Sequence, residues 1–446
     1  MTNVTFVGRY IFFPLTYQSQ DISFTKWVTL LTLGLAPLIA HILAGTPRAS
    51  YLSKRRPKWH EQFVHYNPTS ILWRYAAIAD RRIRARNWGR ADIAAANAIF
   101  WTSEGWDGSE AMVDRSLPYC THIPDHARIA VFSGEMVKTL VVTLQGTQTV
   151  FALTSSLASG LYNDGFDRSM AVDFIFSPLA FIGLLRVFCA LWLTDDFNYS
   201  TKNPAHPTTE LLQISPGYEP TRRNSMDSLI DSPSDALLLS GHRYRSTSLW
   251  YSRAFRAFYL LLLLVMLTAA LMFLIGFSPT DMRFPTIGFT ATSFTVLLFY
   301  IFLLAATSVI CGVYFAAGSS STVIPCISAP WYKAYTAAIM TLGLVALVIS
   351  CLETRETPCG RFTTEPGRNG DYSSCNTLSR ITVPLGRGGS NFGIATTNTL
   401  DLGENYTLHS GESLVFNVTG TCFVSNNFTV LQKVETVEKI TLDAGT

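Results

Sequence analysis

Few residues in this chain form a pattern that chemistry could use. Cys120, His122, Asp125 and His126 are metal-ligand types gathered in one short stretch. A His-x-x-x-His pair turns both rings toward one ion only on a helix, and Pro124 between them opposes a helix. No metal site is expected there, and His41, His60 and His65 are no better placed. The chain contains no Walker loop, dinucleotide fingerprint, G-x-S-x-G or H-E-x-x-H. No catalytic residue and no cofactor is therefore expected.

Arg186 stands out for a different reason. It lies inside the apolar run 171–193, with its backbone roughly 10 Å from the end of that run. A charge at such depth costs about 2.5–3.5 kcal/mol on insertion scales, and it ordinarily faces a bundle interior or water. Its structural role would be snorkelling toward the inner interface, or a hydrogen bond to Gln145 or Gln148 in the run 136–161. With Thr290, Thr292, Ser293, Thr295 and Ser308 they could line a solute path. Small and hydroxylated residues also let helices pack closely, and Gly312 and Ala316 have the small-xxx-small spacing. Packing is the expected role, because no acidic side chain lies deep in these runs and Asp173 sits near an end.

Other residues are candidates for modification. Asn405, Asn417 and Asn427 each begin an Asn-x-Thr acceptor, a sequence glycosylated only on the lumenal side. Ser225 follows Arg222-Arg223-Asn224, and Ser246 follows Arg245; both look like basophilic kinase sites. Phosphorylation there would add about −1.5 to −2 charge beside arginines. Cys351, Cys359, Cys375 and Cys422 are disulfide candidates in an oxidising compartment. Cys359–Cys375 is the most local pairing, and the connectivity stays open.

The elements that position these residues follow from composition. The 446 residues are 48% hydrophobic and only 15% charged, with mean hydropathy +0.24. Soluble domains carry roughly a quarter charged residues. A helix needs about 20 apolar residues to cross a bilayer, and six runs qualify: 27–43, 136–161, 171–193, 257–277, 287–317 and 335–352. The second is the most polar. The expected fold is a mainly α, polytopic helical membrane bundle of about six transmembrane helices. Residues 353–446, with short alternating runs separated by Gly and Asn, form a small β-rich domain. Residues 1–26 form an external tail without the features of a cleavable signal peptide.

Charge sets the orientation. Arg48, Lys54, Arg55, Arg56 and Lys58 follow the first run, and Arg74, Arg81, Arg82, Arg84, Arg86 and Arg90 come next. Segments rich in Lys and Arg beside a span stay cytoplasmic. The region 44–135 and the Ser-rich, disordered-looking loop 194–256 are therefore placed inside, and both termini outside or in the lumen. The three clustered acceptors in the tail agree, although Asn198 begins a further acceptor on the inner side. Within 69–90, an apolar stripe of Ile71, Leu72, Tyr75, Ile78 and Ala79 lies apart from most of the arginines. This pattern predicts a basic amphipathic helix on the anionic cytoplasmic leaflet. The bilayer is the expected partner, with protein partners open. No nucleic acid is expected, because the basic residues adjoin a span and no recognition module is visible.

The stretch Tyr66-Asn67-Pro68-Thr69-Ser70-Ile71-Leu72-Trp73-Arg74-Tyr75, with Phe100-Trp101-Thr102-Ser103 and Gly105-Trp106-Asp107-Gly108-Ser109, resembles uncharacterised multi-spanning proteins of filamentous fungi. The resemblance covers mainly the first cytoplasmic region and implies no activity. The expected function is sensing, binding or scaffolding at the surface or in the secretory pathway. A transporter or channel lined by the second and fifth runs near Arg186 is the alternative. A membrane-embedded enzyme is the third reading.

Overall fold

The computed structural model describes residues 5–7, 10–130, 132–160, 170–200, 243–275, 287–357, 361–366 and five short strands beyond them. It is mainly helical. The long helices are α1 (Phe24–Gly45), α6 (Gly134–Gly160), α8 (Trp250–Ile275), α9 (Ala291–Ala316) and α10 (Pro330–Glu353). Shorter helices are α2 (Trp59–Phe63), α3 (Pro68–Arg84), α4 (Arg90–Asn97), α5 (Met112–Arg115) and α7 (Ser177–Gly183). α7 continues as a 3-10 helix over Leu184–Trp192.

Four helices, α1, α8, α9 and α10, are long and apolar enough to cross a membrane. They overlay four of the six expected runs. The other two differ for physical reasons. In the run 136–161, the threonines and glutamines between 139 and 149 make α6 long but polar, and the threonine hydroxyls bond back to carbonyls one turn earlier, as Thr143 does to Thr139. In the run 171–193, turns occupy the start and the helix begins only at Ser177, which leaves 177–192 shorter than a membrane-length span. Both elements pack beside α1, where Gly34 lets the chain at Val172 come close.

One end of the bundle is capped by strands. β1 (Thr5–Val7) pairs antiparallel with β2 (Tyr10–Phe12), and β2 pairs parallel with β8 (Ile287–Phe289). Gln18 donates its backbone N–H to the Leu352 carbonyl at 3.0 Å, and Lys26 meets Glu356 at 2.5 Å. The start of α1 therefore lies beside the end of α10. The Glu353 carboxylate caps the start of α9, accepting the Thr292 backbone N–H at 2.7 Å. β9 (Arg355–Glu356) and β10 (Phe362–Thr363) form a hairpin at the same end, where Thr364 reaches the Met170 carbonyl.

The opposite end is built from loops and short elements. β3 (Ala49–Tyr51) pairs with β4 (Ile99–Thr102), which pairs with β5 (Gly105–Asp107). β6 (Cys120–His122) pairs with β7 (Asn198–Tyr199). β5, β6 and α5 all lie in the stretch 101–133.

Beyond residue 366 the described residues are strands: β11 (Arg380–Pro384), β12 (Phe392–Ala395), β13 (Leu414–Val418), β14 (Thr421–Ser425) and β15 (Val437–Ile440). β11 pairs with β14, and β13 pairs with both β12 and β15, all antiparallel.

Within 69–90, the helix is α3. Asn67 caps α3 by accepting the Thr69 N–H at 2.9 Å, and Pro68 opens it, as the sequence predicts. The helix nevertheless lies inside the loop end of the bundle, against α1, α8, α9 and the 3-10 segment. Arg74, Arg81 and Arg84 are buried along with the apolar stripe, while Arg82 is half-buried and Arg86 exposed.

Candidate functional site

The principal concentration of buried charge in the described residues is the layer where α3 crosses the loop end. An arginine can be buried there because a helix C-terminus offers carbonyls that no residue of its own helix can bond. α1 ends at Gly45, and its last carbonyls receive two guanidinium groups: Arg74 Nη1 donates to Gly45 O at 2.9 Å, and Arg186 Nη1 donates to Ala44 O. The negative end of the helix dipole favours the same placement. Arg74 Nη2 also donates to the Asn97 side-chain oxygen at 3.1 Å. Arg81 Nη2 donates to Gly108 O at 2.5 Å and to Ser320 O at 3.2 Å, just past the end of α9.

Asp80 is the hub of the second group. Its carboxylate accepts from Arg84 Nε at 2.9 Å, from Arg256 Nη2 at 2.6 Å and from the Ser252 hydroxyl. Arg84 extends the cluster to Glu110 and to the Arg245 carbonyl. Asp80 ties α3 to α8, and Arg84 adds the segment before α5 through Glu110. Burial opposes ionisation of Asp80, but the Arg256 hydrogen bond and the Arg84 charge outweigh it and hold the carboxyl below its usual value. Burial likewise opposes the charge on Arg84, and Glu110 and Asp80 overcome it, raising the guanidinium pKa.

The third group surrounds Arg186, which is fully buried. Its Nη2 meets Glu135 Oε2 at 2.5 Å, Nε donates to Thr139 Oγ1 at 2.8 Å, and the Tyr75 ring lies 5.8 Å away. Gln145 is half-buried and Gln148 exposed, and neither is its partner. The expected glutamine contact is thus replaced by a carboxylate at the head of α6. The sequence hid it because Glu135 stands one residue before the run 136–161 and reads as an interfacial charge.

A fourth group secures the return of the chain at residue 243. Arg243 reaches Asp92 at 3.1 Å and Asp114 at 2.8 Å, and the Tyr244 hydroxyl donates to Asp92 at 2.6 Å. Ala85 opposes Tyr244 across an antiparallel bridge. Asp92 also accepts the Gly89 N–H, capping α4. Burial raises the Asp114 carboxyl pKa against the opposing charge of Arg243.

The remaining expected residues are scattered. His122 bonds Asp196 at 2.8 Å, the Cys120 thiol lies 3.2 Å from the His122 carbonyl, and burial pushes that thiol up to about 11. Among the described residues no three His, Cys, Asp or Glu side chains are grouped to hold a metal. His65 packs edge-on against Trp106 with ring centroids 4.4 Å apart and its Nε2 buried, and burial together with the Arg74 charge lowers it to about 3. Cys351 is a free, half-buried thiol. Cys422 lies in β14 and Asn417 in β13, while Cys359, Cys375, Asn405, Asn427 and Ser225 lie outside the described residues. Ser246 is exposed, with its hydroxyl 2.9 Å from that of Ser248.

These four groups are built from arginines, carboxylates and backbone carbonyls. Their chemistry is mutual neutralisation: carboxylates and helix-end carbonyls hold arginines between segments distant in sequence. No family model, curated protein or solved structure matches this chain.

Proposed function

We propose that this chain is a multi-pass membrane protein of the cell surface or secretory pathway that binds, senses or scaffolds through its two aqueous faces. The observation that supports it most is the internal use of the buried charges. Arg186, the cation deepest in an expected span and the one a solute path would need, is taken up by Glu135, Thr139 and the Ala44 carbonyl. Thr295 and Thr307 bond back to their own helix rather than facing a lumen. The interior is a frame, and recognition is left to the surfaces.

In this reading α1, α6, the 177–192 segment, α8, α9 and α10 make six crossings, the short third one completed by its flanking turns. The first helix start and the last helix end lie together, as an even number of crossings requires. The loop end carries exposed Arg55, Arg56, Lys58 and Arg86, which favours the cytosol for it. Trp59, Trp250 and Trp331, all exposed there, suit the headgroup region of the bilayer. The strand-capped end and the glycosylated, β-rich tail then face the lumen or exterior. Anionic-leaflet contact moves from α3 to the exposed loop 54–58.

Glycosidase treatment of wild type and of the Asn405, Asn417 and Asn427→Gln variants tests the orientation. A gel shift lost in the triple variant supports it; a tail reached by protease from the cytosolic side of sealed vesicles rejects it. The function is tested by removing 367–446. Full rescue of a knockout by the truncated chain would sink the external-binding role.

A further inference from the structure

We infer that the loop end of α8 and α9 holds a single anionic phospholipid, its headgroup between Arg86 and Arg245 and one acyl chain along the groove between the two helices. This rests on the membrane-embedded reading above and names one ligand and one site for it. Two cavities share Ser248. The first, about 560 Å³, is lined by Arg86, Arg245, Ser246 and Ser248 with Leu249. The second, about 470 Å³, has Thr247, Arg253 and the Asp80-paired Arg256 at its head and continues over Leu260, Gly312 and Ala316. Polar then apolar, in continuous order along a helix pair, is the sequence of chemistry a phospholipid presents.

The two headgroup arginines are held by the backbone. Arg86 donates its N–H to Arg243 O at 3.0 Å, and Arg245 donates to Arg84 O at 2.9 Å, on either side of the Ala85–Tyr244 bridge. Neither side chain has a carboxylate partner among the described residues, in contrast to Arg84, Arg243 and Arg256 nearby. The Ser246 and Ser248 hydroxyls can donate to a phosphate oxygen. Trp250 and Tyr251, 72% and 65% exposed, open α8 at the same height, where interfacial aromatics mark the headgroup layer. In the groove, a Cβ built on Gly312 would lie 3.8 Å from Leu260 Cδ2, so a larger side chain would fill the groove without displacing backbone. Free phosphate would use the first cavity alone; the lipid uses both.

The test uses the full chain in detergent micelles, with lipid binding read by native mass spectrometry. Phosphatidylserine is expected to bind in preference to phosphatidylcholine, and Arg86→Gln with Arg245→Gln to weaken it about 30-fold. Gly312→Leu should weaken phosphatidylserine while leaving displacement by inorganic phosphate unchanged. Ser246→Asp, which puts a carboxylate into the first cavity, should weaken it too. Melting temperatures of the variants near that of wild type would show that the frame is intact. Equal binding of the two lipids, or wild-type binding by the double arginine variant, would overturn the site. A neutral Gly312→Leu with full displacement by phosphate would replace the lipid by a free anion and overturn the proposal equally. A chain that stays monomeric in buffer without detergent would instead reject the membrane reading beneath it.

Discussion

Arg186 Nη2 and Glu135 Oε2 lie 2.5 Å apart, joining the 3-10 segment after α7 to the head of α6 across 51 residues of chain. Arg186 is fully buried and the Glu135 side chain is 10% exposed. Removing one member of such a pair strands the other without a counter-charge, at a cost of about 3–5 kcal/mol. Arg186→Met and Glu135→Gln should each lower the melting temperature in micelles. The double variant Arg186→Met with Glu135→Gln should lose less than the sum. Strictly additive losses in the double-mutant cycle would show that the two side chains act separately.

Asp80 is the counter-charge for both Arg84 and Arg256. Asp80→Asn keeps the shape and removes the charge, so a loss of about 3–5 kcal/mol is expected. Because its folded pKa is depressed below the ordinary 3.8, its contribution is complete above that value and fades as pH falls through the lower folded value. Wild type should therefore lose stability at the acid end more steeply than Asp80→Asn. Matching acid profiles would remove Asp80 from this role.

His65 titrates in the opposite chemical sense with the same direction in pH. Its folded pKa is about 3 against 6.5, so the unfolded chain takes up a proton between those values and the folded chain does not. Stability is full above 6.5 and declines toward 3, by an amount on the order of a few kcal/mol. His65→Phe should flatten the melting profile between pH 7 and pH 5, and an unchanged slope would mean that the imidazole finds a partner once protonated.

Gly34 sets the separation between α1 and the turn before α7. A Cβ there would overlap the Val172 carbonyl oxygen, which is backbone and cannot rotate away. Gly34→Ala should cost about 1–3 kcal/mol through overpacking. Gly134→Ala, where no neighbour lies within 4 Å, is the control and should be close to neutral. Equal melting temperatures for the two variants would place the α1 contact elsewhere.

The sequence by itself determined the apolar helices. The runs 27–43, 257–277, 287–317 and 335–352 lie on Phe24–Gly45, Trp250–Ile275, Ala291–Ala316 and Pro330–Glu353. Length and hydropathy are properties of contiguous residues, so they are readable without knowing what packs where. The fate of the charges was decided only by tertiary structure. A stripe of arginines on 68–84 has the same pattern whether it faces water, lipid headgroups or helix ends. Here, free carbonyls at Gly45 and Ser320, and the carboxylate of Glu110, converge on it from distant parts of the chain. Glu135 is likewise an ordinary helix-start acid until the fold brings Arg186 against it. A guanidinium enters a core only where acceptors from several segments meet, and such meetings are not encoded in local spacing.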